Sequence, residues 1–430
     1  MNNPAIVVVA YNRALPLRRL LTSLQRAEYP NSDITLIISI DNSSVQLEIA
    51  KCANEFEWTH GTKIVLCHPE QLGLRNHILQ SGDYAQEYGG VILLEDDLYV
   101  SPHFYSFAVE SQQFLAHDDR IAGVSLYEHH YNETAKRGFL PRNDGFSNFF
   151  MQLPSSWGQT WTSAQWRRFR DWYELNRDIP ITADSGVPAD VAIWPESSWK
   201  KYFIRYMIAN DLYFSFPHAS LTTNFMDPGT HHKTKYCHLQ RPLQQTPIDY
   251  QFASLDISET VYDAHCELLP HLIAKVRPDL SAYCDDLTVD LYGVKPLSEL
   301  TSRYILTSKK THAPIKCWGR NLLPHESNIF CDIDGTELNL SQSADCMGPD
   351  QIGFFAEANY YHGLSPQLYQ LEASRYESNF NRIMRDSERK LDDLSRELGL
   401  RDETIRSLLS STSWKLTKPL RWSKSILSRK

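Results

Sequence analysis

The chain has no glycine-rich phosphate cradle. Neither a GxGxxG fingerprint nor a GxxxxGK loop occurs in its 430 residues, and glycine is scarce at 18. Phosphate binding on a run of backbone amides, as in dinucleotide and P-loop folds, is therefore excluded. The eight cysteines form no CxxC pair and no Cys/His metal spacing. They read as reduced packing thiols rather than as a disulfide framework or a zinc site. No apolar run approaches the length that spans a bilayer, and no basic leader precedes the first strand-like segment. The expected location is cytoplasmic. The formal net charge of −9 argues against a nucleic-acid binder, which would present a basic face.

What is present is a regular alternation over the first 125 residues. Ala5 to Ala10 is a β-branched run, and Leu17, Leu20, Leu21 and Leu24 follow at helical spacing. Further strands are expected at Ile34 to Ile40, Lys63 to Cys67, Val91 to Leu94 and Ile121 to Leu126, with helices between them. This pattern predicts an α/β fold, Rossmann-like, with a mainly parallel sheet and helices on both faces. Right-handed crossovers place the C-terminal strand ends on one edge, where such sheets hold ligands. Asn12, Asp41, His68 and the triplet Glu95-Asp96-Asp97 fall at those ends.

The triplet is the most telling feature. Three adjacent carboxylates repel one another and are costly to desolvate, but a divalent cation makes them tolerable. Such a cluster suits a metal bound to a nucleotide diphosphate. The alternative is a solvated acidic turn that caps the next helix.

Beyond residue 143 the pattern changes. Trp157, Trp161, Trp166 and Trp172 punctuate a stretch that leads to a helix from Ser197 to Ala209 and a strand from Tyr213 to Phe216. The domain reading is 1–238 for the α/β domain, 239–370 for an accessory α+β region, 371–410 for a coiled-coil helix and 411–430 for a basic amphipathic tail. Leu391, Leu394, Leu398, Ile405 and Leu408 alternate in steps of three and four or their sums, as in a short coiled coil, which suggests a homodimer. An amphipathic helix folded against the body is the alternative. The tail carries Lys415, Lys418, Arg421, Lys424, Arg429 and Lys430, no acid, and interleaved Trp414 and Trp422. That composition suits the anionic inner leaflet of a membrane.

Val7-Val8-Val9-Ala10-Tyr11-Asn12-Arg13 before a Leu-rich helix resembles the opening of bacterial family 2 glycosyltransferases. Ile40-Asp41-Asn42-Ser43 looks like their second-strand acidic position. Leu72-Gly73-Leu74-Arg75-Asn76-His77 and Leu94-Glu95-Asp96-Asp97-Leu98 are similar to the metal-site region of the N-acetylglucosaminyltransferase I family. The likeness covers about residues 5 to 235. It implies the GT-A fold, a nucleotide-sugar donor such as a UDP-sugar, a glycan or glycolipid acceptor and an inverting displacement. By position it implies Asp97 on Mn²⁺ or Mg²⁺, Asp96 on the ribose or a metal water, and Glu95 as a buttress. Asp41 would face the base, and Ala10, Asn12, Arg13 and His77 would lie near the nucleotide. His231 would sit near the metal. Ser156-Trp157-Gly158-Gln159-Thr160-Trp161 resembles the acceptor-side loop, with Trp157 or Trp161 stacking on the sugar and Gly158 allowing a tight turn.

The proton acceptor is where the chain departs from these relatives. Their pattern places an acid directly after a Trp on the helix before the Tyr213 strand; here Lys200 follows Trp199. A protonated lysine cannot take a proton. Glu196, four residues earlier, is the expected base if the helix begins that early, with Asp190, Asp211 and Asp227 open. The missing acid also admits a second reading, a catalytically weak domain that serves as a sugar-nucleotide-binding scaffold.

Overall fold

A computed structural model describes residues 3–31, 33–182, 185–225, 227, 239–347 and 366–417. They belong to two compact units, Met1–Gln351 and Ile352–Lys430.

The first unit is built on β1 (Ala5–Ala10), β2 (Leu36–Ile40), β3 (Lys63–Cys67), β4 (Gly90–Glu95), β5 (Leu98–Val100), β6 (Ile121–Ser125), β7 (Tyr131–Asn132), β8 (Arg137–Gly138), β9 (Asn148–Met151), β10 (Gln159–Thr162), β11 (Tyr213–Pro217), β12 (Thr222–Asn224) and β13 (Val261–Tyr262). Nine of these form one sheet in the order β13-β9-β11-β6-β10-β4-β1-β2-β3. Five of its eight pairings are parallel, and β10 and β9 supply the three antiparallel ones. The protein is thus mixed α/β with a large, mainly parallel sheet. Every residue of β1 and β2 is buried. Successive side chains point to opposite faces, so both faces of the sheet centre are covered. That is the environment an uninterrupted Ile-Val-Val-Val run needs.

Parallel register brings the functional edge together. Val9 lies beside Glu95, Ala10 beside Ile40, and Ile40 beside Cys67. The backbone N–H of Asp41 then donates to Ala10 O (2.9 Å), and that of His68 to Ile40 O (3.0 Å). The exits of β1 to β4 therefore share one rim.

Sequence periodicity misses β5 and β10. β5 is a three-residue strand that pairs antiparallel with β12, far along the chain. β10 inserts antiparallel between β4 and β6. The sheet also continues past residue 238, because β13 pairs with β9. A second sheet, β14 (Leu287–Asp290), β15 (Tyr304–Thr307), β16 (Lys316–Trp318) and β17 (Leu338–Gln342), has the order β14-β15-β17-β16. Lys295 pairs with Asp263 just after β13, and Lys309 with the wholly buried Asp290 of β14. The first pair helps fasten the small sheet to the edge of the large one, and the second ties β14 to the chain leaving β15.

Beside β10 an aromatic core forms from Trp161, Trp166, Phe169, Trp199, Phe203 and Phe214, with the Trp161 and Trp166 ring centroids 4.7 Å apart. Trp161 is 0% exposed. Its expected place on the acceptor side is therefore corrected: the side chain fills the core and has no face for a sugar. In the second unit a single helix, Pro366–Ser410, is followed after the Ser411 cap by Thr412–Leu416. Leu391, Leu394, Leu398, Ile405 and Leu408 are all more than half exposed on it. Of the basic tail, residues 418–430 lie outside the described residues. Among the described residues no helix is long and apolar enough to cross a membrane.

Replacing Trp161 with Ala is expected to cost about 3–5 kcal/mol of stability, as for other buried aromatics. Urea denaturation measures this, and a loss below about 1 kcal/mol would contradict the core placement.

Candidate functional site

Glu95 is the last residue of β4, and Asp96 and Asp97 turn the chain into β5. That turn is fixed from two sides. The backbone N–H of Phe225 donates to Asp97 O (3.3 Å) beside the β12–β5 ladder, and Tyr11, leaving β1, donates from its backbone to the Asp96 carboxylate. Asp96 is 3% exposed and Asp97 9%. The triplet is therefore not a solvated turn.

Arg13 neutralises it. One guanidinium nitrogen, Nη2, donates to Asp96 Oδ1 and the other, Nη1, to Asp97 Oδ2 at 3.0 Å. Burial acts against the Arg13 charge, but both carboxylates outweigh it and raise its pKa. Burial also dominates at Asp96, pushing it up to about 6 against the pull of Arg13. Glu95 is pushed up to about 8 by desolvation and then by Asp97 and Asp96, partly opposed by Arg13 and Lys200.

Among the described residues no group of three or more His, Cys, Asp or Glu side chains is arranged to hold a metal ion. One atom nonetheless suits a cation: Asp97 Oδ1 is buried and has no hydrogen-bond partner among those residues. An anionic oxygen left so in a protein interior is costly unless something positive meets it. Magnesium-type ions are commonly bound by one or two carboxylates, with substrate phosphates and water completing the shell. Asp97 with Asp96 fits such a half-site.

Other expected residues lie in different settings. Asp41 is buried, and its carboxylate accepts from the backbone N–H of Asn42 and Leu72 (2.8 Å each) and of Gly73 (3.0 Å). It fastens the start of the helix Gly73–Asp83 to the rim, leaving little capacity for a nucleobase. His77 is also buried, shares the Ser39 hydroxyl with His68 (2.8 and 2.9 Å), and is lowered to about 4 by burial. It is a neutral packing residue. Ala10 is buried at the rim and Asn12 is exposed beside it. His231 lies outside the described residues.

Glu196 requires a correction. The helix begins at Trp199 with Ser198 as its cap, so Glu196 precedes it and does not share a helix face with Lys200. Its carboxylate accepts from Lys201 Nζ (2.8 Å) and the Tyr202 hydroxyl, and these bonds lower its pKa. Asp190 pairs with Lys136, Asp211 accepts from Tyr213 and Gln152, and Asp227 pairs with Arg19.

In the segment expected on the acceptor side, Gln159 opens β10 opposite Leu93, and Trp157 lies in the bend just before it. Gly158 has φ +95°, and a Cβ there would stand 2.8 Å from Thr222 Cγ2. Only glycine meets both conditions. The Thr222 hydroxyl donates to Trp157 O, and the half-buried Trp157 ring packs edge-on against Tyr127 at 4.7 Å. Lys200 was expected only as a gap in the pattern. Its ammonium instead donates to Glu133 Oε1 (2.9 Å), on the turn between β7 and β8, and its charge is felt at Glu95. Glu133 gave no sequence signal, since nothing local links it to Lys200.

No family model and no curated protein matches the chain. Similar solved structures include S. aureus TarS 1–349 with UDP-GlcNAc, at 12% identity and TM-score 0.36 over 54% of this chain and 61% of that one. A mannosyltransferase from Pyrobaculum calidifontis with GDP-Man and Mn²⁺ is similar at 13% identity and TM-score 0.29, over 45% and 50%. Mouse xyloside xylosyltransferase 1 is similar at 13% and 0.33, over 49% and 84%. The chain spans about 60% of the length of TarS 1–349. At these scores the likenesses add nothing to the topology and geometry above.

Arg13→Met is expected to lower stability by about 3 kcal/mol near pH 8, because it leaves buried carboxylates without their cation. Asp96 and Glu95 titrate above the ordinary carboxylate range, so the folded state binds more protons than the unfolded one. Their contribution is complete below about pH 4 and is lost as pH rises through about 6 to 8. The gap between variant and wild type should therefore narrow at pH 5. Urea midpoints at the two pH values test this, and an equal gap at both would contradict it.

Proposed function

We propose that the chain is a metal-dependent, inverting glycosyltransferase of the GT-A type. It moves a sugar from a nucleotide-sugar donor, a UDP-sugar in the first instance, to a surface glycan or lipid-linked acceptor. The observation that carries this reading is the Glu95-Asp96-Asp97 cluster at the C-terminal end of β4, with Asp96 and Asp97 buried and Asp97 Oδ1 free of any hydrogen-bond partner among the described residues. It stands on the rim where parallel α/β sheets bind ligands. The chain has no glycine-rich loop, so a diphosphate must be met by a cation and side chains.

Asp97, with Asp96, would hold Mn²⁺ or Mg²⁺, and His231 is a further proposed ligand. The ion supplies charge neutralisation for the departing nucleoside diphosphate. Arg13 holds the two carboxylates in position. Asn12 and Ala10, at the exit of β1, border the donor. Trp157 and Gly158 border the acceptor. The proposed division is catalytic for 1–238 and accessory for 239–370. The helix 371–410 would pair with a second copy through its exposed Leu and Ile residues, and the basic segment 411–430 would rest on the inner leaflet of the membrane from the cytoplasmic side.

A second reading is favoured by one observation: Lys200 stands where the resemblance expects an acid. The chain would then bind donor as a scaffold without turning it over.

UDP-GlcNAc and GDP-mannose, the nucleotide sugars held by two of the similar structures, serve as probes with Mn²⁺. At a hundred times the dissociation constant the donor should stabilise the fold by about 2.7 kcal/mol, and Asp97→Asn should abolish both this and nucleoside diphosphate release. Stabilisation without release would support the scaffold. Equal stabilisation of wild type and Asp97→Asn would refute the site.

A further inference from the structure

The site as described has a leaving-group side but no proton acceptor, since Glu196 is held by Lys201 and Tyr202. We infer that Glu133, presented on the Lys200 ammonium, takes the proton of the attacking hydroxyl. This rests on the glycosyltransferase reading above.

Four observations place it. Lys200 occupies the position where the resemblance expects an acid, and its Nζ is 2.9 Å from Glu133 Oε1. A carboxylate is thus held against the side chain that replaces the expected acid. The Lys200 charge is felt at both Glu95 and Glu133, so one ammonium acts on the triplet as well as on its own partner. The Glu133 charge is felt at Tyr127, whose ring packs on Trp157 beside the acceptor turn. Finally, the Glu133 side chain keeps 29% of its surface open, and among the described residues no donor reaches its other oxygen, Oε2. One oxygen is fixed and the other is available, as a proton acceptor requires.

The chemistry balances without a further reagent. The acceptor hydroxyl oxygen forms a bond to the anomeric carbon of the donor as the bond from that carbon to the diphosphate oxygen breaks. The electron pair of the broken bond leaves on the nucleoside diphosphate. The hydroxyl proton passes to Glu133 Oε2 and then to solvent. Lys200 is a positioning residue here.

The groups that face Glu133 are Lys200 from the helix Trp199–Ala209, His129 from the segment after β6, and Lys136 from its own hairpin. Tyr127, Tyr131 and Cys266 also feel its charge. Burial would raise its pKa, but Lys200, as a charge and as a hydrogen-bond donor, leads the groups that outweigh burial, and the pKa is lowered. The acid therefore stays ionised through neutral pH.

The test uses the full chain with Mn²⁺, UDP-GlcNAc and GDP-mannose as donors, water as the acceptor, and nucleoside diphosphate release as the readout. Glu133→Gln should lower release by about 100-fold or more while thermal stabilisation by the donor is unchanged. Glu133→Asp, which can keep the pair with Lys200, should retain intermediate activity with a displaced acid limb in its kcat/KM–pH profile. Release within threefold of wild type in Glu133→Gln, or an acid limb unmoved in Glu133→Asp, overturns the assignment. So does loss of donor stabilisation in Glu133→Gln, which would mark a structural role. A wild type neither stabilised by donor nor releasing nucleoside diphosphate would instead defeat the glycosyltransferase reading itself, and Glu133 with it.

Discussion

Three consecutive carboxylates at the end of a central strand, two of them buried and one half-buried, set the terms for the rest of this protein. Two unit charges 4 Å apart interact by about 4 kcal/mol at an effective dielectric of 20, and burial strengthens the repulsion. The fold answers in two ways. It carries the Arg13 guanidinium onto Asp96 and Asp97, and it lets Glu95 and Asp96 hold their protons to higher pH than carboxyls in water. The first answer depends on topology. Arg13 reaches the pair because β1 and β4 are parallel neighbours with Val9 beside Glu95, so both chains leave the sheet at the same rim. An antiparallel neighbour would carry its exit to the opposite edge. The parallel β1–β4 pairing and the acidic site are therefore one constraint.

Much of this could be read from the chain alone. The β-branched and aliphatic runs at Ala5 to Ala10 and Val91 to Leu94 locate the central strands, and alternation with helices implies that their C-terminal ends align. What could not be read depends on distant partners. β10, Gln-Thr-Trp-Thr, has Gln159 and Thr160 at 0% exposure, so it lacks the apolar signature of a buried strand. Its place comes from β4 and β6 on either side. β5 is three residues long and becomes a strand only because β12 pairs with it.

The candidate site divides in the same way. The triplet is contiguous and so was legible. Asp41 was legible as an acid at a strand end, but its use in holding the amides of Leu72 and Gly73 depends on how the next crossover returns. Glu196 failed on a local detail: Ser198 accepts from the Lys201 amide and starts the helix three residues later than the reading required. Trp161 failed on packing, since an aromatic in an acceptor-like motif and one in a core have the same sequence appearance. Glu133 was invisible because its partner is 67 residues away.

The charge balance around the triplet gives these pieces a common meaning. Four carboxylates, Glu95, Asp96, Asp97 and Glu133, face two side-chain cations, Arg13 and Lys200. His129, buried and lowered to about 3, adds no charge near neutrality. This ionised cluster therefore has an excess of negative charge, reduced but not removed by proton uptake at Glu95. A diphosphate alone would be repelled by such a surface, and a divalent ion alone would be drawn to it. The two together nearly cancel in charge, and under the proposed reading Asp97 with Asp96 would hold the ion. Lys200 in place of an acid fits the same balance. A fifth carboxylate there would deepen the excess, whereas a lysine offsets one charge and fixes a carboxylate from another segment. Under the proposed reading, a base at position 200 would thus keep the acidic group of Glu133 in use while lowering the electrostatic cost of the acidic cluster as a whole.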